Sequence, residues 1–398
     1  MTIKSSVTRR KFLRMSSTLP VGAAMLPNLA HSAFAATSPL PASPHSANFG
    51  NLAILDGNEY FTGPTSAAVE GMHKVSLIGN RYLNDDTSEF SKQVAAYHGL
   101  KPNYVTLYAG SSEPLRYTTI AFTSPTRSLV TVDPVYESAW GAAAGVGSKV
   151  HRVPLKPDYT YDMKAMLEAD SNAGLFYICN PSNPTGVPVK RSEIEWLLEN
   201  KPAGSILLVD EAYIHFSNAE SVIDLVAQDK DLIVIRSFSK IYSMAGLRFG
   251  YAMARPDLMA KIRVFGVNHV PTTSVQCAKA QLEDKQLVPL RKRAMTDQRN
   301  RTFDWLTKNN YAFTPSDCNH FMLDVKRPGA NVANAMAHKQ VIIGRTWPIW
   351  PNFSRITIGS PTEMQSFQTA LVEVMQMPPE KMSALVHPYP RMLRAQVC

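Results

Sequence analysis

The chain has 398 residues, 45% of them hydrophobic and 18% charged, with a formal net charge of +9. This length exceeds the roughly 250–300 residues at which one hydrophobic core usually stops growing, so two domains are expected. The composition is that of an ordinary globular protein rather than a disordered one. Residues 1–35 hold five of the positive charges and no acid, and taking five from nine leaves +4 for the rest. A nucleic-acid partner is therefore not predicted.

The first 35 residues have the three parts of an export signal. The basic run Thr8–Arg14 is followed by a mostly apolar stretch to Leu29 and by the small-x-small pattern Ala33-Phe34-Ala35. The pair Arg9-Arg10, with Phe12 and Leu13 after it, resembles the bacterial twin-arginine signal, which implies a periplasmic location. Cleavage after Ala35 or after Ala36 stays open. A membrane-spanning helix is the alternative, but a run of ~20 apolar residues is interrupted here by Pro20, Pro27, Asn28 and His31.

The four cysteines show no spacing typical of a metal site, and no metal is predicted. An exported protein could oxidise them, and four cysteines allow three complete pairings. Free buried thiols are the favoured interpretation for the first three, since Cys179 lies inside an apolar run. The four are Cys179, Cys277, Cys318 and Cys398.

Between residues 76 and 275, apolar runs alternate with helical patterns, which is typical of an α/β domain with a doubly wound, mainly parallel sheet. The predicted strands are Tyr104–Tyr108, Leu129–Val132, Lys149–Val153, Leu175–Cys179, Ile206–Val209, Leu232–Arg236 and Phe249–Met253. The predicted helices are Asp86–His98, Tyr136–Ala144, Arg191–Glu199 and Ser221–Ala227. Ligands of such sheets bind at the carboxyl ends of the strands.

The pattern changes after residue 275, which predicts a smaller α+β domain over residues 276–377. Segment 36–75 is predicted to join it, and residues 378–398 form a tail without a predicted role. The predicted elements are helices at Val288–Asn309, Val332–Lys339 and Glu363–Met375 and strands at Phe321–Val325 and Arg355–Ile358.

A carboxylate ends one of the buried strands. The sequence lacks a G-x-G-x-x-G fingerprint and a Walker loop, so a cofactor other than a nucleotide is expected at the strand ends. Asp210 directly follows Ile206–Val209, and a charge buried there needs a cationic or hydrogen-bonding partner. A pyridinium nitrogen would serve, and structural capping is the alternative for a lone Asp.

A lysine ends the next strand. Lys240 follows Ser237 and Ser239, and Arg248 comes eight residues later. Most lysines are solvated surface groups, but two hydroxyls and a guanidinium can bind a phosphate while the amine forms an imine.

Two loops add polar groups to the same edge. The run Asn180–Gly186 contains two X-Pro steps that favour a turn, and Asn183 offers an amide to a phenolate oxygen. The run Gly110–Glu113 joins a strand to a helix beginning near Pro114, where backbone N–H groups favour an anion. Capping alone remains an equal alternative for the second loop.

Together these motifs resemble the class I/II aminotransferases of pyridoxal 5'-phosphate (PLP) fold type I, and most of all the histidinol-phosphate aminotransferase family. The resemblance runs from Leu55 to Met375. Its most specific parts are Asn183–Gly186, Asp210–Tyr213, Ser237–Lys240 and Arg248, in the order and spacing of the family.

The resemblance implies a role for each matching residue. Lys240 would hold the cofactor as a Schiff base, Asp210 would keep the pyridine nitrogen protonated, and Tyr136 would stack on the ring; these three are the implied catalytic residues. Asn183 and Tyr213 would bind the phenolic oxygen. Tyr82 would reach the phosphate of a neighbouring subunit, which implies a homodimer with shared active sites. The residues implied to surround the phosphate within the chain are Ser111, Ser112, Glu113, Ser237, Ser239 and Arg248.

On the substrate side, Arg355 matches the arginine that binds an α-carboxylate, Arg345 matches a second substrate-side arginine, and Asn183 is also implied to bind substrate. Two departures from the family pattern disfavour histidinol phosphate as the substrate. Thr62 stands where the family has a pocket-lining aromatic residue, and Thr346–Trp350 forms an unusual, shortened connection to Arg355. The two tryptophans of that connection either contact substrate or pack between domains.

The implied function is transfer of an amino group between an α-amino acid and a 2-oxo acid. Decarboxylation, racemisation, elimination and O₂-dependent oxidation use the same cofactor and remain alternatives. A PLP-fold binding protein without turnover is disfavoured, because Lys240, Asp210, Asn183 and Arg355 are all present.

Overall fold

The computed structural model describes residues 51–266 and 269–389. The predicted export signal and Cys398 lie outside these ranges, so both stay predictions. The other three cysteines, Cys179, Cys277 and Cys318, are free and buried, as predicted. Within the described ranges, no helix combines the length and apolar character needed to cross a membrane.

A seven-stranded sheet with the order β2-β8-β7-β6-β5-β3-β4 forms the centre of the protein. Adjacent strands in this sheet are parallel except at β8, which runs antiparallel to both β2 and β7. Strands β5, β6 and β7 are buried along their whole length, as expected for parallel strands covered on both faces. The predicted mainly parallel α/β fold is confirmed. The strands are β2 Val105–Tyr108, β3 Leu129–Asp133, β4 Val150–Pro154, β5 Leu175–Cys179, β6 Ile206–Asp210, β7 Leu232–Ser237 and β8 Gly250–Met253.

The register of the central strands aligns the ends that carry the predicted site. Cys179 pairs with Asp210, Asp210 pairs with Ile235, and Ser237 pairs with Gly250. The loops that follow β5, β6 and β7 therefore leave the sheet side by side.

Helices pack against this central sheet and against two smaller sheets, which are described below. The predicted helices agree with the structure to within a turn, whereas α1, α5, α8, α9 and α13 were not predicted. The helices are α1 Ser66–Ser76, α2 Asn84–Tyr97, α3 Ser112–Phe122, α4 Ser138–Gly145, α5 Met163–Glu168, α6 Arg191–Asn200, α7 Ile223–Val226, α8 Pro256–Arg263, α9 Thr272–Glu283, α10 Leu287–Lys308, α11 Gly329–Ala337, α12 Pro361–Met375 and α13 Pro379–Ser383.

Two small sheets involve the N-terminal segment and the last third of the chain. Strand β1 (Ala53–Leu55) pairs in parallel with β11 (Val341–Ile343). Strand β10 (His320–Asp324) lies between β9 (Ala312–Phe313) and β12 (Phe353–Thr357), antiparallel to both. The chain that follows Leu55 is thereby brought beside β11. The predicted domain boundaries stay a prediction.

Candidate active site

Asp210 is a buried carboxylate at the carboxyl end of β6. Its Oδ1 accepts a hydrogen bond of 3.0 Å from the Ala212 N–H, and its Oδ2 accepts one of 3.4 Å from the Tyr177 hydroxyl. Burial raises the pKa of Asp210 to about 6, against the opposing effect of these hydrogen bonds and of the Lys240 charge. A carboxylate in this position favours a cationic ligand group, because the two groups that donate hydrogen bonds to it are neutral.

Lys240 lies just beyond β7 with its amine turned into the protein. Its Nζ donates a 3.1 Å hydrogen bond to the carbonyl oxygen of Gly57 and lies 5.5 Å from the centre of the Tyr213 ring. Burial, and then the charge of Arg355, lower the pKa of Lys240 to about 8. A larger fraction of this amine is therefore unprotonated at neutral pH than for an ordinary lysine, which makes it a better nucleophile.

Tyr213 is buried between Lys240 and two polar side chains. Its hydroxyl oxygen accepts a 3.1 Å hydrogen bond from Asn58 Nδ2, and its ring lies 4.7 Å from that of His320. Burial, together with the charges of Arg355 and Lys240, lowers the pKa of His320 well below its usual value. His320 is thus a neutral wall of the site rather than a proton carrier.

Arg355 lies on β12 with its guanidinium group buried. One Nη donates to Asn183 Oδ1 at 2.9 Å, and the other donates to the carbonyl oxygen of Asp56. Its Nε is buried and makes no hydrogen bond to any residue that the structure describes. A buried donor left without a partner is costly, and a carboxylate is the acceptor that fits a guanidinium edge.

The loop after β2 and the loop before β8 form a tight cradle. A Cβ added at Gly110 would lie 2.2 Å from Arg248 Nη2, and one added at Gly250 would lie 2.6 Å from the Ser111 nitrogen. Arg248 adopts a left-handed φ of 60° and lies 3.5 Å from Ser239 Oγ. The contact at Gly110 shows that a guanidinium group lies against this loop.

Helix α3 begins in this cradle at Ser112, and Ser111 makes no side-chain cap hydrogen bond. The first N–H groups of the helix therefore favour an anion beside the arginine. Ser237 Oγ accepts from the Ser239 N–H at 3.0 Å. Glu113 points back instead, and its Oε2 accepts from the Ala109 N–H at 3.2 Å.

Trp347 forms the far wall of the site and is fully buried. Its Nε1 donates to the Val135 carbonyl at 3.2 Å, next to the half-buried Tyr136. The guanidinium carbons of Arg345 and Arg355 lie 4.3 Å and 5.7 Å from its ring centre. These contacts favour the packing role for Trp347 over free contact with substrate.

Arg345 is paired with Glu137, the residue that precedes α4. The ion pair joins Arg345 Nη2 and Glu137 Oε2, and the two side chains are 34% and 21% exposed. The charge of the second arginine is therefore already balanced within the protein. Thr62, at the position of the missing aromatic residue, is half-buried.

Tyr82 lies apart from these residues and is 77% exposed. Its ring lies 5.4 Å from that of His269. A tyrosine so exposed can act only on a molecule that approaches from outside.

Sequence reasoning missed the segment Asp56–Asn58. Its backbone oxygens accept from Arg355 and Lys240, and the Asn58 amide donates to Tyr213. No local sequence pattern marks these contacts, because each bond joins residues more than one hundred and fifty positions apart.

Residues 53–371 match the protein family described as aminotransferase class I and II. The chain belongs to this family. The histidinol-phosphate aminotransferase of Halalkalibacterium halodurans is 30% identical to this aminotransferase over 318 residues, which are 78% of this chain and 84% of that protein. The predicted PLP-dependent aminotransferase is thereby confirmed as to family and fold.

Two solved structures have a similar fold. The histidinol-phosphate aminotransferase of Sinorhizobium meliloti, in complex with pyridoxal-5'-phosphate, has a TM-score of 0.75 at 22% identity and covers 87% of this chain and 99% of its own. The L-threonine-O-3-phosphate decarboxylase of Porphyromonas gingivalis has a TM-score of 0.72 at 23% identity and covers 82% and 100%. The same fold therefore carries both transaminases and a decarboxylase.

Proposed function

We propose that this aminotransferase binds pyridoxal 5'-phosphate on Lys240 and moves an amino group between an α-amino acid and a 2-oxo acid. One observation carries the proposal: the amine of the half-buried Lys240, with its pKa lowered to about 8, lies close to a buried carboxylate and to a buried guanidinium with a free Nε. The amine suits an aldehyde, the carboxylate a pyridinium nitrogen, and the guanidinium an amino-acid carboxylate.

The side chains of the site fit this cofactor group by group. Asp210 would pair with the ring nitrogen, Asn183 and Tyr213 would donate to the phenolic oxygen, and Tyr136 would cover the ring. When bound, the cofactor supplies an aldehyde carbon and an electron-accepting ring that stabilises negative charge on the substrate carbon. The phosphate would lie among Ser111, Ser112, Ser237, Ser239 and Arg248. Glu113, predicted to be part of this group, would hold the loop backbone in place.

The residues of this chain perform the remaining tasks. Arg355 would hold the substrate carboxylate through its free Nε and one Nη, which orients the Cα–H bond toward Lys240. The Lys240 amine, released when the substrate amine takes its place on the cofactor, would then remove that proton and hold it beside the cofactor. Burial and the charge of Arg355 lower the pKa of Lys240, so a larger fraction of the amine is unprotonated and able to act as a base.

We also propose a homodimer, supported by the exposure of Tyr82. Large apolar side chains are exposed on the stretch of chain just before Tyr82 and on the stretch just before His269, whose ring contacts Tyr82, and such exposure is typical of a surface that binds another protein. We propose that a second copy covers them and that Tyr82 reaches the phosphate site of that copy. Sedimentation should give twice the monomer mass, and Tyr82→Ala should weaken cofactor affinity; a monomer that binds cofactor as tightly would contradict this. The exposed side chains are Leu77, Ile78, Val264 and Phe265.

Export through the twin-arginine route is also proposed, on the sequence of residues 1–35 alone. This route carries folded proteins, so the cofactor would be loaded before export. Changing Arg9 and Arg10 to lysine together should keep the active enzyme out of the periplasmic fraction. Unchanged periplasmic activity of this double variant would contradict the proposal.

The reaction itself is tested by single-turnover mixing of the yellow enzyme with individual amino acids. Transamination predicts bleaching of the visible absorbance with stoichiometric 2-oxo acid and without O₂ consumption. Release of CO₂ would indicate decarboxylation, and O₂ uptake would indicate oxidation. Either result would replace transamination while leaving the cofactor assignment in place.

A further inference from the structure

Three successive residues after β1 contact three different groups of the site. The Asp56 carbonyl accepts from Arg355, the Gly57 carbonyl accepts from Lys240, and Asn58 Nδ2 donates to the Tyr213 hydroxyl at 3.1 Å. Asn58 contacts the site through its side-chain amide. It is 1% exposed and has a left-handed φ of 51°, a conformation that Asn tolerates better than most residues.

The orientation of the Asn58 amide is fixed by Thr357. The Asn58 backbone N–H donates to Thr357 Oγ1 at 2.9 Å, and Thr357 Oγ1 in turn donates to Asn58 Oδ1 at 3.2 Å. Among the residues that the structure describes, Asn58 Oδ1 is the only acceptor for the Thr357 hydroxyl proton, so a flipped amide would leave this buried proton without a partner. Asn319 Nδ2 holds the Asn58 carbonyl at 2.9 Å. The NH₂ group must therefore face Tyr213.

This orientation fixes the direction of the Tyr213 hydroxyl. Its oxygen accepts the Asn58 bond, so its single proton is available to another acceptor. Burial raises the pKa of Tyr213, so the hydroxyl stays protonated and remains a donor. A donor whose own oxygen accepts a hydrogen bond is polarised and becomes stronger.

We propose that Asn58 is a positioning residue that directs the Tyr213 proton onto the phenolic oxygen of the cofactor and strengthens that bond. This inference rests on the proposed function, because the acceptor belongs to the bound cofactor. Asn58 acts through Tyr213, whose hydroxyl oxygen accepts its amide N–H.

The test is a pH titration of the visible absorbance of the cofactor bound to Lys240, in Asn58→Gly. Glycine keeps the left-handed backbone and removes only the amide. Weaker donation stabilises the anionic phenolic oxygen less, so the pH of the absorbance change should rise by about half a unit or more. Asn310→Gly is the matched control, because Asn310 has a φ of 59° and is exposed. It should leave the titration unchanged.

Two further variants separate this role from a purely structural one. Tyr213→Phe should raise the pH of the absorbance change by more than Asn58→Gly does. Adding Asn58→Gly to Tyr213→Phe should not shift that pH further. Thr357→Val, which releases the amide without removing it, should give a smaller rise than Asn58→Gly and serves as the test if that variant does not fold.

The outcomes distinguish this inference from the proposed function. An unchanged titration in the coloured Asn58→Gly enzyme, or an equal shift in the Tyr213→Phe background, overturns the inference alone. A wild-type enzyme that stays colourless with pyridoxal phosphate overturns the proposed function as well.

Discussion

The site has two halves that are built differently. The cofactor half consists of Asp210, Asn183 and the run Ser237–Lys240, which follow neighbouring strands of one sheet. The substrate half is joined by contacts between distant parts of the chain, such as Arg345 with Glu137 and Arg355 with Asp56. Strand register brings the first half to one edge of the sheet, whereas the second half depends on contacts between distant segments of the chain.

This difference has a functional consequence. Chemistry common to a family can be fixed by local motifs, while selection of the substrate depends on long-range packing that differs between relatives. Variants in the cofactor half should therefore abolish the reaction, and variants in the substrate half should change which molecules react.

The largest effect is expected in the cofactor half, for Lys240→Ala. Loss of the amine removes both the attachment point and the proton carrier, so kcat should fall by about a thousandfold or more. Stopped-flow measurement of the half-reaction checks this. Lys230→Ala, at an exposed lysine, should retain wild-type rates. Near-normal turnover by Lys240→Ala would remove the basis of the mechanism.

In the substrate half, Arg355→Lys should lower kcat/KM for amino acids roughly thirtyfold, because an ammonium cannot reproduce the guanidinium edge. This factor corresponds to a loss of about 2 kcal/mol in transition-state binding free energy. A primary amine without a carboxylate should be affected far less. Arg293→Lys at an exposed position is the control. Equal losses for both kinds of substrate would show that Arg355 does not bind the carboxylate.

The pKa of Lys240 predicts how cofactor uptake depends on pH. Since only the unprotonated amine attacks an aldehyde, and its pKa is about 8, uptake by the cofactor-free enzyme should rise as pH increases and level off above that value. Below it, the rate should change by about tenfold for each pH unit. A plateau already reached well below pH 8 would show a lower pKa than the surroundings of Lys240 indicate.

The smallest effect is expected for Glu137→Gln. This substitution frees the charge of Arg345, which in the wild type is balanced by Glu137. The ratio of kcat/KM for acidic amino acids to kcat/KM for neutral ones should then rise by about fivefold, as expected for a partly exposed ion pair. Glu220→Gln, at an exposed residue, should leave the ratio unchanged, and an unchanged ratio in Glu137→Gln itself would exclude Arg345 from side-chain selection.

The same division explains what the sequence could predict. The strand Leu175–Cys179 was predicted with both its ends, because a run buried on both faces is continuously apolar. Helix α9 was missed because its buried face includes Ser274 and Gln281, which hide the hydrophobic period. Its packing against α1, another missed helix, makes tertiary contact rather than amphipathic pattern the reason for its position.

Within the site, local motifs identified Lys240 and Asp210 but not their partners. The Gly57 carbonyl that holds the Lys240 amine has no sequence signature, because any residue supplies a backbone oxygen. Likewise, the sequence left the role of Trp347 open, and its complete burial against Val135 favours packing.

Borohydride reduction followed by peptide mapping tests the central claim most directly. Reduction fixes the bound cofactor on the lysine that carries it, and mass spectrometry then identifies that lysine. The account predicts a single pyridoxyl group on Lys240. A group on another lysine, or none on an enzyme saturated with pyridoxal phosphate, would contradict it.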